Sequence, residues 1–267
     1  MKNIGFIGCG NMGGAIISGI INSGIAKPED IIVYDKSEKC IENVKGKYNV
    51  AVAKNEKDAA EKSEVLFLAV KPLVIYDVID VIKDCVSDNT VVVSIAAGQS
   101  MEKIETAFGK KVSLMRVMPN TPALVGEGMS ALSPNDVLDK DEEAKEYIMK
   151  IFAGIGKAEL VPEKLMDAVT GVSGSSPAYV FMFIEALADA AVLAGMPRNQ
   201  SYTFAAQAVL GSAKMVLETG LHPGELKDMV CSPGGTTIEA VSVLEEKGMR
   251  SSVLEAVKAC VEKSKKL

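Results

Sequence analysis

Residues 4–13 read Ile4-Gly5-Phe6-Ile7-Gly8-Cys9-Gly10-Asn11-Met12-Gly13. A short apolar run, Ile4 to Ile7, leads directly into GxGxxG. Met12 to Ser23 then carries helical spacing, with Ile16, Ile17 and Ile20 on neighbouring faces. Strand, glycine turn and helix in that order give the motif a mechanism. Gly8 permits the tight turn, Gly10 lets a pyrophosphate approach the backbone, and Gly13 lets helix and strand pack closely. The helix start supplies unpaired N–H groups and a favourable dipole. A second strand, Ile31 to Tyr34, ends at Asp35, where a ribose-binding carboxylate belongs. The stretch predicts a dinucleotide-binding unit. Asp35 alone favours NAD, but Lys36, Ser37 and Lys39 follow directly and offer charge and hydroxyl to a 2′-phosphate, so NAD and NADP both stay open. Cys9 reads as a small spacer rather than a nucleophile.

Outward from that unit, strand-like and helix-like segments alternate. Ser37 to Lys47 is helical; Val50–Ala53, Val65–Val70, Val91–Ile95 and Val112–Val117 read as strands. Most of these runs are apolar throughout, so both faces are covered, as in a parallel sheet flanked by helices. After Val161-Pro162 the pattern changes to helices only: Ser176–Ala194, Gln200–Glu218, Thr237–Lys247 and Ser251–Lys263. The expectation is an N-terminal α/β Rossmann domain with a mostly parallel, doubly wound sheet over residues 1–161. An all-α C-terminal domain for dimerisation and substrate follows over 162–267. The helices are rich in Ala, Gly and Ser, which supply too little apolar area for a lone domain of about 100 residues. That predicts packing against a second copy.

Composition removes other classes. The 267 residues carry a net charge of −6, and only Arg116, Arg198 and Arg250 are arginine. No clustered basic face for nucleic acid or an anionic membrane is visible. Cys9, Cys40, Cys85, Cys231 and Cys260 are odd in number and never form CxxC, which argues against a disulfide framework or a zinc site and fits a reducing cytoplasm. His222 is the only histidine. It lies in a Gly-Leu-His-Pro-Gly turn and reads as structural. The opening Met1-Lys2-Asn3 enters the first strand too directly for a signal peptide. The apolar stretch Phe181–Met196 contains Glu185 and Asp189 and reads as a buried helix rather than a membrane span.

Further candidates sit at strand ends, where open α/β sheets bind ligands. They are Ala69-Val70-Lys71-Pro72, Ile95-Ala96-Ala97-Gly98 and Met118-Pro119-Asn120-Thr121-Pro122. Lys71 reads as a group orienting a substrate carboxylate or the cofactor ribose, or as a surface lysine. Asn120 reads as a binding amide or a structural turn. In the second half, Cys231-Ser232-Pro233-Gly234-Gly235-Thr236-Thr237 joins two helices. Consecutive glycines and hydroxyls at a helix start make an anion cradle suited to a carboxylate. Gly171–Ala178 is similar in texture but reads as a tight turn for close packing.

Six stretches, GFIGCGNMG (5–13), AVKP (69–72), SIAAG (94–98), MPNTPA (118–123), GVSGSSPAY (171–179) and LKDMVCSPGGTTIEA (226–240), make the chain closely similar to the pyrroline-5-carboxylate reductase family. The resemblance implies reduction of 1-pyrroline-5-carboxylate to L-proline with NADPH or NADH, no metal, and a homodimer or higher homo-oligomer with its site at the dimer interface. It places the substrate on Ser232, Gly234, Gly235, Thr236 and Thr237, with Asn120 beside it. Thr237 would meet the ring nitrogen, with Lys71 as second catalytic candidate. The residues expected around the dinucleotide are Phe6, Ile7, Gly8, Cys9, Gly10, Asn11, Met12, Gly13, Asp35, Lys36, Asn55, Ala69, Val70, Lys71, Pro72, Ala96 and Ala97. Two competing readings are a hydroxyacid dehydrogenase using Lys164, Lys214 or Lys227, and a redox sensor without catalysis.

Overall fold

A computed structural model describes residues 3–266. The expectation about the chain start rests partly on Met1 and Lys2, which lie outside them. Strands β1 (Ile4–Ile7), β2 (Ile31–Tyr34), β3 (Ala51–Val52), β4 (Val65–Leu68), β5 (Val91–Ser94), β6 (Ser113–Met118), β7 (Gly128–Pro134) and β8 (Gly156–Leu160) form one sheet. Its order is β3-β2-β1-β4-β5-β6-β7-β8. Among the described residues only β6 and β7 pair antiparallel. The order reverses between β1 and β4, and the crevice for a ligand lies outside the carboxyl ends of those two strands.

Helices α1 (Asn11–Asn22), α2 (Glu38–Tyr48), α3 (Glu56–Glu61), α4 (Ile75–Ile82), α5 (Met101–Phe108) and α6 (Glu142–Ala153) accompany the sheet. The strand residues divide by parity, as a pleat requires. Ile4, Phe6, Val65, Phe67, Val91, Val93, Met115 and Val117 pack with Ile16, Ile20, Ile148 and Phe152 from α1 and α6. Ile7, Leu66, Leu68, Val92 and Leu114 pack with Ile75, Ile79, Ile82 and Phe108 from α4 and α5. Phe6 and Phe67 stack at 4.5 Å across the β1–β4 pair.

The sequence reading omitted β7 and β8. β7 turns the polar Ser130 and Ser133 inward, and β8 is an edge strand carrying Lys157 and Glu159. Neither shows the apolar run or clean alternation that marks a strand.

Beyond β8 the chain forms α7 (Met166–Val169), a π-helical segment Thr170–Gly174, α8 (Ser176–Leu193), α9 (Arg198–Thr219), α10 (Pro223–Val230), α11 (Thr236–Glu246) and α12 (Met249–Ser264). The stretch expected as a tight turn at Gly171 is thus helical. α10 was hidden by the turn-like Gly220–Gly224. Pro223 at its first position begins it, and His222 caps it, with Nδ1 accepting the Gly224 N–H at 3.0 Å.

The sheet ends at Leu160, next to the boundary expected at 161/162. Two compact units emerge: one runs to Ser175 and takes up the chain again from Cys260, the other spans Ser176–Ala259. Within the second unit α8 and α9 pack together, yet few side chains are buried. The apolar stretch from Phe181, expected as a buried helix, instead leaves Phe181, Met182, Phe183 and Leu193 exposed. The run Glu163–Leu193 is long and apolar enough to cross a membrane by length and composition.

Candidate active site

The glycine loop is fixed by contacts that its residues dictate. Gly8 has φ +97, and a Cβ there would lie 2.4 Å from the Ala69 carbonyl oxygen at the end of β4. A Cβ on Gly13 would lie 2.5 Å from the Gly8 carbonyl oxygen. Both glycines are therefore demanded by the protein itself. Gly10 is different. Its φ is −65, open to any residue, and a Cβ there would meet nothing within 4 Å. No internal contact requires glycine at this position, so the bare backbone faces open space at the N-terminus of α1. That terminus has no side-chain cap, leaving N–H donors and dipole for an anion. The residues fit a dinucleotide pyrophosphate.

A cavity of about 450 Å³ opens there. Its lining includes Ile7, Gly8, Gly10, Asp35, Lys36, Ala69, Val70 and Lys71, all expected from the sequence. It also includes Tyr34, Ser37, Cys40, Glu56, Val74 and Val78. Ser37 was considered only as a phosphate ligand. Tyr34 and Glu56 were missed, although the sheet order puts the ends of β2 and β3 beside β1 and so beside the loop.

Asp35 takes a role that its spacing does not reveal. Its Oδ2 accepts the Cys9 N–H and its Oδ1 accepts the Ser37 N–H, each at 2.8 Å. The carboxylate pins the glycine loop to the end of β2. Burial, followed by the charge of Asp35, pushes the Cys9 thiol up to about 12. This is the behaviour of an inert spacer rather than a nucleophile. Burial, then Glu56 and Asp35, also raises the Tyr34 hydroxyl above its ordinary value.

Other expected residues lie elsewhere. The Phe6 side chain is in the core, so only its backbone borders the loop. Asn11 is exposed at the start of α1 and Met12 is half-buried. Asn55 caps α3, its Oδ1 accepting the Asp58 N–H at 2.9 Å. Pro72 begins a short 3-10 turn, Pro72–Val74, directly after the cavity-lining Lys71. Ala96 is buried and Ala97 half-buried after β5. Asn120 is occupied as a clamp. Its Oδ1 accepts the Met129 N–H at 2.8 Å, and its Nδ2 donates to the Ser173 carbonyl at 3.2 Å. That ties the loop after β6 to the π-helical segment.

In the second unit, Gly234, Gly235, Thr236, Glu239, Ala240 and Val243 line a shallow cavity of about 520 Å³ at the start of α11. Gly234 has φ +68, which glycine tolerates and most side chains do not. The Gly235 N–H donates to the Ser232 carbonyl at 3.0 Å, so it closes the turn rather than standing open as expected. α11 has no side-chain cap, which leaves the Thr236 and Thr237 N–H groups as the helix-end donors. Glu239 borders the same cavity and was not foreseen. Thr237 is half-buried, about 100° round the helix from the Thr236 face. Two of the three alternative lysines are engaged on helix surfaces, Lys214 with Glu218 at 3.5 Å and Lys227 with Asp228 at 2.5 Å; Lys164 lies in the short 3-10 turn Glu163–Leu165. Among the described residues no group of three or more His, Cys, Asp or Glu is placed to hold a metal ion.

Comparison with known proteins extends these observations. The family profile described as "Pyrroline-5-carboxylate reductase dimerisation" matches residues 163–267. One described as "NADP oxidoreductase coenzyme F420-dependent" matches residues 3–98. The chain is 53% identical over 266 residues to pyrroline-5-carboxylate reductase of Escherichia coli, covering 100% of this chain and 98% of that protein. It is 45% identical, with the same coverage, to that of Methanosarcina acetivorans. The crystal structure of Plasmodium falciparum pyrroline carboxylate reductase with NADP bound superposes with a TM-score of 0.90 at 35% identity, covering 99% of this chain and 97% of that one. Similarity of this extent, spanning both the glycine-loop unit and the helical unit, makes the chain a member of the pyrroline-5-carboxylate reductase family.

Proposed function

We infer that this protein reduces 1-pyrroline-5-carboxylate to L-proline, the last step of proline biosynthesis, with NAD(P)H as reductant. The observation that carries the reading is the start of α11 behind Ser232–Gly235, without a side-chain cap, whose backbone donors suit a carboxylate and for which a dinucleotide sensor has no use. A hydroxyacid dehydrogenase needs a base to take the hydroxyl proton, and two of the three candidate lysines, Lys214 and Lys227, are paired at the surface.

Reducing a cyclic imine makes a lighter demand on the protein. The C=N bond gains a hydride at carbon and a proton at nitrogen, giving the secondary amine. Bound NAD(P)H supplies the hydride. The Gly10 backbone and the start of α1 hold the pyrophosphate, while Asp35 holds the loop in shape. The Thr236 and Thr237 N–H groups receive the substrate carboxylate, with Ser232 and Gly234 shaping the turn. The Thr237 hydroxyl hydrogen-bonds the ring nitrogen and keeps its proton in place. Lys71, at the end of β4, orients the cofactor ribose or the substrate carboxylate. Fixed alignment of hydride donor and acceptor supplies most of the acceleration. No step requires a metal.

The exposed apolar helices of the second unit, together with the matched dimerisation family, support a homodimer or higher homo-oligomer. Five free cysteines fit the cytoplasm. The test follows nicotinamide absorbance in purified protein with 1-pyrroline-5-carboxylate. Substrate-dependent loss of absorbance is expected; no loss with either NADPH or NADH in folded protein overturns the reading.

A further inference from the structure

Resting on the dinucleotide site of that reading, we propose that the cavity beyond β1 and β2 selects NADH over NADPH, with Asp35 and Glu56 rejecting a 2′-phosphate. Three observations converge on the same few ångströms.

Asp35 cannot move aside. Both of its oxygens accept main-chain N–H groups at 2.8 Å, one from Cys9 in the glycine loop and one from Ser37 beyond β2. Rotating the carboxylate away from an incoming phosphate would break both bonds. A carboxylate has about four lone-pair positions, so with two taken by N–H groups and one facing the Cys9 thiol the group still accepts from a ribose hydroxyl. A phosphate monoester carries about −1.5 to −2 charge at neutral pH and, once fully ionised, has no proton to donate.

A backbone donor beside the acid is also occupied: the Ser37 N–H is directed to Asp35. Lys36 and Ser37 line the cavity on that segment.

A second carboxylate faces the same space. Glu56, in the first turn of α3, lines the cavity with Asp35 and Tyr34. The Tyr34 hydroxyl is raised by burial first and then by both acids, so it registers their combined field. Two carboxylates stand against one lysine, Lys36, at the ribose end. Lys71 follows β4, on the opposite side of β1 from β2. A 2′-hydroxyl is welcome there, and a 2′-phosphate meets like charge in a half-enclosed cavity.

Calorimetric titration of NADH and NADPH into the purified protein, without imine, tests this directly. NADH should bind at least tenfold more tightly. Asp35→Ser should narrow or invert that ratio, and Glu56→Gln should narrow it severalfold. Wild-type protein binding NADPH as tightly as NADH, or more tightly, overturns the proposal. If Asp35→Ser loses both dinucleotides because the loop collapses, Glu56→Gln decides, and an unchanged ratio in that variant overturns it. A tenfold NADH preference in protein that fails to oxidise NADH with 1-pyrroline-5-carboxylate would leave this proposal standing and remove the reductase reading.

Discussion

Phe6, Phe67 and Phe152 in the first unit have no exposed surface, whereas Phe181, Phe204 and Leu193 in the second are 60%, 65% and 91% exposed. The same residue types thus meet opposite fates within one chain. The sheet of the first unit covers both of its faces with its own helices. α8 and α9 leave large apolar side chains in water, and each is worth roughly 1.5–3 kcal/mol when fully buried. One unit closes its core alone, while the other, which matches a dimerisation family, leaves apolar side chains uncovered within its own chain. Covered by a second copy, as proposed above, the second unit would owe part of its stability to protein concentration.

The most disruptive way to break that contrast is to charge the exposed face. Phe181→Asp combined with Phe204→Asp should abolish self-association and remove the concentration dependence of the melting temperature. Each lost burial costs on the order of 2 kcal/mol, with desolvation of the new charge added. Sedimentation velocity checks it. A double variant that sediments like wild type would show that this face is not the one covered.

The two glycines flanking Cys9 sharpen the comparison inside the first unit. Gly8→Ala places a Cβ 2.4 Å from the Ala69 oxygen at φ +97, so strain and overpacking should cost about 2–5 kcal/mol in urea unfolding. Gly10→Ala meets nothing within 4 Å and should change stability by less than about 1 kcal/mol. It should nonetheless weaken dinucleotide binding at least tenfold, because the methyl occupies ligand space. Equal stability losses in the two variants would show that Gly10 is structural after all.

That difference marks the limit of what the sequence disclosed. The GxGxxG spacing located the loop, and continuous apolar runs located β1, β2, β4 and β5, because burial on both faces leaves its imprint on every residue, whereas β3 is a short apolar pair that is exposed. β7 and β8 left none, since polar and edge positions obey no such pattern. The position of Asp35 was legible, but its two N–H partners were not, because main-chain donors have no sequence signature. Asn120 shows the same gap: its flanking prolines announced stiffness, while its clamp on Ser173 needs a residue 53 positions away. The resemblance placed Gly235 among the substrate-binding residues, and the turn of its N–H back to Ser232 has no sequence signature.

In the second unit, Thr237→Ala should lower turnover roughly ten- to a hundredfold at near-normal cofactor affinity. Thr237→Ser should recover most of it, because the hydroxyl is retained. Stopped-flow absorbance separates the hydride step from product release. Wild-type turnover in the alanine variant would remove Thr237 from the chemistry and shift attention to Glu239, the carboxylate on the adjoining cavity face.

An effect confined to alkaline pH belongs to Cys9 and returns to the self-sufficient core. Its thiol is raised from 9.0 to about 12, chiefly by burial. Below pH 9 both folded and unfolded chains keep the proton, and the stabilisation is fully present. Between pH 9 and about 12 the unfolded chain loses the proton while the folded chain retains it, so stability falls as pH rises. The slope from one thiol is at most about 1.4 kcal/mol per pH unit. Tyr34 and Tyr147, also raised by burial, add to the alkaline loss in any variant that keeps them. Urea midpoints for wild type and Cys9→Ala across pH 8 to about 12 should therefore converge as pH increases, with wild type losing more. Parallel curves would mean that water reaches Cys9, and that the first unit is less tightly closed around its glycine loop than its buried phenylalanines imply.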